Sequence, residues 1–267
     1  MQFELEDLRE EAADSIDIIF DDLFAETLSE GKAEDLVELV REVCMHFHTL
    51  ATTTLLIEAS PQYFFYNLCC AAENWRRLLA HLHSQGAALP PSSDNTPLLG
   101  AVAAGQWELA RALCHLSATA RAEEEYEDEF VWAYMLQEFI ALPVGRAFPE
   151  VLLSRYERVL EEAQSDRLEL FQALLVADGN RFFAAFQRVL QSHERETEAR
   201  AVGFGVSPDK FVAYRFIWFE GLALLRLAER VGLRSDEHFL YCPPLARVAM
   251  TMVCDNDWAL PFGAGAK

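Results

Sequence analysis

Glu220 is the residue whose type and surroundings come nearest to a catalytic group, because it lies inside an apolar run from Phe211 to Leu225. If it is buried, its carboxylate must be hydrogen-bonded or paired, since an isolated charge is costly to remove from water. It could then act as an acid or base in a pocket, or as half of a structural ion pair. The sequence favours an ion pair with an arginine.

Two histidine pairs, His46 with His48 and His81 with His83, have the type and spacing of possible metal ligands. Residues two positions apart on a helix, however, face away from each other and cannot share one metal ion. A site would need one histidine from each pair. We therefore predict surface or partly buried histidines, with no metal and no cofactor.

The six cysteines show no C-x-x-C pair, and they are Cys44, Cys69, Cys70, Cys114, Cys242 and Cys254. Most have apolar neighbours, which is typical of small core side chains. Cys69 and Cys70 would point in different directions on a helix, and this disfavours a redox role for the pair. We predict reduced thiols.

Familiar catalytic motifs are missing from the sequence: it has no phosphate-cradling glycine loop, no G-x-S-x-G elbow, no H-E-x-x-H and no paired-cysteine zinc site. We therefore predict that the chain is not an enzyme. A helical enzyme using Glu220 and a histidine pair stays open as an alternative, and it would require a deep pocket lined by those groups.

The composition is strongly acidic, with 43 aspartates and glutamates, 22 lysines and arginines, and a formal net charge of −21. Nucleic acids and anionic membranes are repelled by such a field, whereas a basic partner is attracted. The first residues lack the features of a secretory signal, and no apolar run approaches the ~18 residues of a membrane span. We predict a cytoplasmic protein that binds neither nucleic acid nor membranes.

The acidic residues concentrate in two segments: fifteen carboxylates lie in residues 1–42, and six surround Tyr126 in residues 123–129. Acids at a helix N-terminus are also favoured by the helix dipole, so a solvated helix start is one interpretation. The other is a surface that presents negative charge and an aromatic anchor to a basic cleft. The candidate partner-binding residues are Asp14, Asp17, Asp21, Asp22, Glu123, Glu124, Glu125, Tyr126, Glu127, Asp128 and Glu129.

Helical spacing of apolar residues dominates the chain, and no segment alternates as a half-buried strand would. A hydroxyl residue followed by proline, as in Ser60-Pro61, Thr96-Pro97 and Ser207-Pro208, indicates a helix start. Gly31, Gly86, Gly179 and Gly232 indicate helix ends. The predicted helices span residues 4–29, 33–58, 62–84, 97–117, 123–141, 149–163, 166–176, 180–201, 208–231 and 243–253.

These elements predict an all-α fold, a single globular multi-helix bundle over residues 1–267. The composition, 52% hydrophobic, provides enough apolar surface for one core. Because residues 211–225 are apolar nearly all round, the helix near 208–231 should be the buried centre. Two lobes, 1–120 and 121–267, are compatible with this length.

Residues 96–110 imitate the opening of an ankyrin repeat, with Thr96-Pro97-Leu98 followed by Gly105. The pattern occurs once, and a single unit cannot stack into a solenoid. We interpret the segment as a local helical hairpin, in which Gly105 permits a tight turn and Trp107 packs on the core.

The segment from Trp218 to Leu233, followed by Tyr241-Cys242-Pro243-Pro244-Leu245, resembles the C-terminal part of the all-helical immunity protein 49 family. The order of earlier segments is similar too, with an aromatic patch at residues 63–65, Trp75 in a helix, and a small-residue helix pair from Leu98 to Leu113. The resemblance covers the last two thirds of the chain.

The resemblance implies a protein that protects a bacterium by binding a polymorphic or contact-delivered toxin, often one released by a secretion system, and it brings no catalytic residues. Together with the charge, it predicts a cognate toxin that acts in the cytoplasm, a nuclease with a basic cleft. The alternative is a helical adaptor that organises several cellular partners without inhibiting them. The oligomeric state stays open.

Overall fold

The computed structural model describes residues 5–143, 146–161, 165–202, 208–254 and 258–262. Its helices are α1 (Leu5–Ile18), α2 (Phe24–Glu30), α3 (Ala33–Glu58), α4 (Pro61–Gln85), α5 (Thr96–Ala103), α6 (Trp107–Leu116), α7 (Glu127–Ala141), α8 (Glu150–Val159), α9 (Asp166–Leu175), α10 (Gly179–Val202), α11 (Pro208–Arg215) and α12 (Phe219–Arg230). A π-helical segment, Ile19–Leu23, joins α1 to α2, and a 3₁₀ turn spans Pro244–Arg247. These ranges contain no β-strand, which confirms the predicted all-α class.

The long hairpin of α3 and α4 forms the base on which α1, α2, α5, α6 and α11 pack. Helix α1 lies along α3, while α5 and α6 pack against α4, and α12 lies on α5. Phe64 and Phe65 of α4 are fully buried, and Phe219 of α12 stacks on Phe64 with ring centroids 6.3 Å apart. The buried side chains form one cluster that extends from Ile16 to Leu260, so the core passes through both predicted lobes.

The predicted hairpin around Gly105 is confirmed. Gly105 has φ +74°, a left-handed conformation that glycine adopts without strain, and the N–H of Gln106 donates to the carbonyl of Ala101 across the turn at 2.9 Å. Trp107 then packs against the core, and the Arg230 guanidinium lies 4.7 Å from its ring centroid. The turn allows α5 and α6 to pack against each other and against α4.

The prediction of one helix near 208–231 is wrong in its continuity. Trp218 is extended, with φ −98° and ψ 97°, and its N–H donates to the carbonyl of Tyr241 at 2.9 Å instead of continuing a helical ladder. The chain therefore turns between α11 and α12, and α12 is buried along most of its length, from Phe219 to Ala228. An apolar run without glycine or proline at the break gives no local signal of such a turn.

The predicted helix at 243–253 is also wrong, because only Pro244–Arg247 forms a 3₁₀ turn. Side chains from other elements take the place of helical hydrogen bonds there. Arg226 donates to the carbonyl of Val248 at 2.9 Å, and the Gln62 side-chain oxygen accepts from the N–H groups of Thr251 and Met252 at 2.7 and 3.1 Å. These distant partners hold the segment in an irregular path.

Most of the predicted helix punctuation agrees with the structure. Helix α4 starts at Pro61 after Ser60. Helix α12 ends at Arg230, and Gly232 follows it with φ +92° while the N–H of Leu233 donates to the carbonyl of Ala228. Gly179 is an exception, since it begins α10 rather than ending the helix before it. Ser207 lies outside the described residues.

Candidate functional site

A cleft of about 920 Å³ opens between helices from both halves of the chain. The N-terminal ends of α5, α7, α9 and α12 line it together with one face of α3 and one of α10. The loop before α5, the end of α8 and the turn before α12 all reach this cleft. The starts of four helices therefore meet there. The charged groups at those helix starts therefore lie around one cavity.

Glu220, in the first turn of α12, is held by two partners. Its Oε1 accepts from Trp132 Nε1 at 2.7 Å, and its Oε2 accepts from the Arg167 guanidinium at 3.1 Å. Arg167 also lies over the Trp132 ring, 5.3 Å from its centroid. Coulombic attraction to Glu220 raises the pKa of Arg167. The predicted ion pair with an arginine is confirmed, and it forms part of the cleft wall.

His193 and Glu196 of α10 contribute a second wall that sequence reasoning missed. The His193 ring stacks on Trp218, with centroids 4.9 Å apart, and burial lowers the pKa of His193 so that the ring is neutral at pH 7. Glu196 and Arg200 lie further along the same helix face and line the cleft. The spacing of these residues, three and four apart, was the available signal, but it also fits an ordinary solvated face.

The inner wall of the cleft contains His48 of α3, whose side chain is only 1% exposed. Its Nδ1 lies 3.2 Å from the Tyr214 hydroxyl, and its Nε2 has no hydrogen-bond partner among the described residues. Burial lowers the pKa of His48 to about 3, so the ring is neutral. The prediction of a surface or partly buried histidine is wrong for His48, because its helix face turns into the core.

The remaining predicted histidines serve separate local contacts. His46 lies 3.8 Å from Glu42, His81 packs on the Phe262 ring, and His83 Nε2 lies 2.8 Å from the carbonyl of Leu116. Within the described ranges no group of three or more histidine, cysteine or carboxylate side chains is placed to hold a metal ion. Of the four histidines considered as metal ligands, only His48 lines the cleft that contains Glu220.

The acidic segment 123–129 is divided by the structure. Glu125 is buried, where its carboxylate accepts from the N–H groups of Ser93 at 2.7 Å and Ala122 at 3.2 Å, so it stabilises the loop. Tyr126 is 74% exposed at the start of α7. The other five carboxylates of the segment are exposed: Glu123, Glu124, Glu127, Asp128 and Glu129. Of these, Asp128 and Glu129 line the cleft.

The first acidic segment forms a different surface, which we call the N-terminal acidic face: Asp14, Asp17, Asp21 and Asp22, with the neighbouring Ile18 and Leu23. All four carboxylates are exposed, and none makes an ion pair with another described residue. Ile18 and Leu23 are 54% and 42% exposed. None of these residues lines the cleft. The structure therefore keeps the N-terminal acidic face separate from the cleft.

The predicted core thiols are confirmed, since all six cysteines are free and five of them are buried. Cys44 Sγ donates to the carbonyl of Ala71 at 3.3 Å, and burial raises the pKa of Cys44. Burial also raises the pKa of Cys114, to about 12. These thiols stay protonated at neutral pH and pack as small side chains.

The family model of Immunity protein 49 matches residues 50–245. The match covers most of the chain, and the chain belongs to this family of immunity proteins. It includes the segments around Trp75, Leu98 and Trp218 on which the sequence resemblance depends. Comparisons with curated proteins and with solved structures each gave no significant match.

The matched range divides the candidate surfaces in an informative way. Most of the cleft lining, from Trp75 to Glu220, lies inside it, whereas Arg41, Cys44 and His48 of α3 precede it. The N-terminal acidic face lies wholly outside it. In the described ranges, no helix is long and apolar enough to cross a membrane.

Proposed function

We propose that this protein binds and neutralises one cognate bacterial toxin that acts in the cytoplasm. The observation that carries the proposal is the family match over residues 50–245. A role in binding rather than catalysis agrees with Glu220, the most enzyme-like residue of the sequence, because its carboxylate is engaged by Trp132 and Arg167. The protein then protects its host by occupying the toxin, without chemistry of its own.

The toxin that suits this protein best is a nuclease. A nuclease needs a basic cleft to hold the phosphate backbone, and a protein with a net charge of −21 is attracted to such a cleft. The same charge repels nucleic acid, so the inhibitor does not bind the substrate of the nuclease. It binds the nuclease itself. We propose inhibition by covering the basic active-site cleft.

The two groups of exposed carboxylates have different roles in binding the toxin. Asp14, Asp17, Asp21 and Asp22 form no ion pair among the described residues, so their field is available to steer a basic toxin during approach. Tyr126, beside five exposed carboxylates, offers an aromatic anchor of the kind that dominates interface energetics. Proteins of this class act in competition between bacteria, and we propose a toxin delivered by a type VI secretion system.

A growth assay tests the function directly. The open reading frame adjacent to the gene is expressed in a bacterial host with and without this protein, while plasmid and chromosomal DNA and total RNA are followed on gels. We expect growth arrest and nucleic-acid degradation with the neighbour alone, and both to be abolished on co-expression.

The control is a version of the protein truncated within α12, which removes the centre of the core. Arrest without loss of DNA or RNA would remove the nuclease assignment and keep the immunity function. A harmless neighbour, together with several non-toxic partners in a pull-down, would instead support the adaptor.

A further inference from the structure

The charges of the cleft are unequally satisfied. Two of its arginines are engaged, since Arg41 pairs with Asp94 at 2.6 Å and Arg167 pairs with Glu220 at 3.1 Å. Four more charged side chains line the cleft without an ion pair to a described residue, three carboxylates and one arginine: Asp128, Glu129, Glu196 and Arg200. The groups without partners are therefore mainly carboxylates, and the cavity presents net negative charge to whatever enters it.

Three of the four helix starts in the cleft, those of α7, α9 and α12, already carry the chain's own acids, whereas α5 has none in its first turn. Asp128 and Glu129 lie in the first turn of α7, Asp166 in that of α9 and Glu220 in that of α12. A helix N-terminus attracts anions, but here the attraction is taken up by these carboxylates. An anionic ligand would have to displace or oppose them, whereas a cation would not.

The inner wall adds an independent feature that indicates a ligand. The Nε2 atom of His48 is buried and has no hydrogen-bond partner in the described chain, although a buried polar atom without a partner is costly. The aromatic rings of Tyr214, Trp218 and Phe219 line the same cavity. In the tautomer whose Nδ1–H donates to the Tyr214 hydroxyl, Nε2 is an acceptor. Together with the aromatic faces, such an acceptor suits a side chain that carries N–H donors and positive charge.

We propose that this cleft receives a lysine- or arginine-bearing segment of the toxin, whose cationic side chain lies between Glu129 and Glu196 and extends towards His48. The inference rests on the proposed immunity function and names the surface and the partner chemistry that it uses. A volume of about 920 Å³ accommodates several side chains of a protruding loop. Enclosure by the cavity makes each charge pair stronger than one on an open surface.

The experiment compares two double charge reversals that change the net charge equally. Glu129→Lys with Glu196→Lys alters two exposed carboxylates of the cleft, and Glu108→Lys with Glu150→Lys alters two exposed carboxylates outside its lining. Each variant is titrated by calorimetry with the catalytically inactive toxin from the adjacent gene. We expect roughly a hundredfold loss of affinity for the cleft variant and less than about a threefold change for the control.

A third variant, His48→Phe, keeps a flat ring and removes the ring nitrogen without a partner at the inner wall. We expect about a tenfold weaker Kd for a correctly folded protein, judged by circular dichroism. If this variant does not fold, the double reversal decides alone, since Glu129 and Glu196 are exposed and not required for packing.

The outcomes separate the site from the function. If wild type protects cells and binds the toxin, but both double variants bind equally well, the cleft assignment is overturned and the immunity function stands. If wild type neither binds nor protects, both proposals fall together. If the cleft variant alone binds the toxin more weakly, and alone fails to restore growth, the result supports both the cleft assignment and the immunity function.

Discussion

The N-terminal acidic face and the cleft are both negative, but they arrange their charge differently. On the N-terminal acidic face, the four carboxylates are exposed and have no ion-pair partner among the described residues. In the cleft, Asp94 and Glu220 are paired with arginines, and Glu220 is also held by Trp132 Nε1. The first surface therefore provides a long-range field on an open face, whereas the second surrounds its unpaired carboxylates, among them Glu129 and Glu196, with groups that are already engaged.

The family match follows the same division, since it includes most of the cleft and excludes the N-terminal acidic face. A charge that only steers depends on its number and sign, whereas a charge in a cavity depends on the residues that position it. The difference suggests that the cleft requires the tertiary structure to be intact, while the face does not.

The largest expected effect comes from Gly221, which supports the cleft wall. An added Cβ would lie 2.1 Å from Cε3 of Trp218, and the Trp218 ring is held between Phe186 and His193. We expect Gly221→Ala to lower the free energy of unfolding by about 3 kcal/mol because the tryptophan has no free space to enter. Urea denaturation followed by tryptophan fluorescence measures it.

Gly86→Ala is the matched control for that substitution. Gly86 has φ +63° but an added Cβ would meet no atom within 4 Å, so only backbone strain applies, about 1 kcal/mol. Equal losses for the two variants would contradict the claim that the cleft wall is the more tightly packed region.

The second effect concerns Glu220, whose charge belongs to an ion pair with Arg167. The carboxylates of the N-terminal acidic face have no such pair among the described residues. Glu220→Gln leaves Arg167 without its counter-charge, and we expect a loss of about 1–2 kcal/mol, a modest value because the Arg167 side chain is 39% exposed. Asp17→Asn, on the N-terminal acidic face, should change stability by less than about 0.5 kcal/mol. Paired urea denaturation curves test both, and a neutral Glu220→Gln would show that the pair contributes nothing to folding.

The third effect is a pH dependence located at the inner wall. The folded pKa of His48 is lowered to about 3 from an ordinary 6.5, so between these values the unfolded chain binds a proton that the folded chain does not. The stability contributed by neutral His48 is therefore lost as the pH falls from 6.5 towards 3, by at most about 1.4 kcal/mol per pH unit.

Comparison with His48→Gln isolates the pH-dependent stability contributed by His48, because every other titrating group is common to both proteins. The difference in unfolding free energy between wild type and His48→Gln should shrink as the pH is lowered from 7 to 5. A difference that stays constant over that range would show that His48 is protonated in the folded protein or solvated within it.

The smallest effect is kinetic and belongs to the N-terminal acidic face. Reversing Asp14, Asp17, Asp21 and Asp22 to lysine should slow association with the toxin about three- to fivefold at low salt, with little change in the dissociation rate. Stopped-flow binding at two salt concentrations measures this, and the difference from wild type should shrink at high salt. A large increase in the dissociation rate would show that this face makes short-range contacts and would break the comparison.

Local patterns in the sequence were enough for the fold class and for most helices. Apolar spacing predicted a helix over residues 33–58, which is α3, and the Ser60-Pro61 and Gly232 signals placed a helix start and a helix end. Such signals depend on hydrogen bonds within a few residues, which the sequence contains directly. A local glycine signal also predicted the turn at Gly105. The arginine partner of Glu220 was predicted from the cost of burying an unpaired charge.

The breaks in the helices could not be predicted in this way. The turn at Trp218 depends on the carbonyl of Tyr241, and the irregular course after Arg247 depends on Gln62 and Arg226. These partners lie far away in the sequence, so helical periodicity continues through a segment that is not helical. The burial of His48 and Glu125 had the same origin, because a neighbour from another element covers each of them.

By itself, the sequence determined an acidic, all-helical chain, the positions of most helix ends and the residues that could carry charge to a partner. The tertiary structure decided which carboxylates meet: it brought Asp128, Glu129, Glu196 and Glu220 around one cavity and left Asp14 to Asp22 on an open face. Composition and helix periodicity are properties of neighbouring residues, whereas a cavity exists only where distant helix ends pack together.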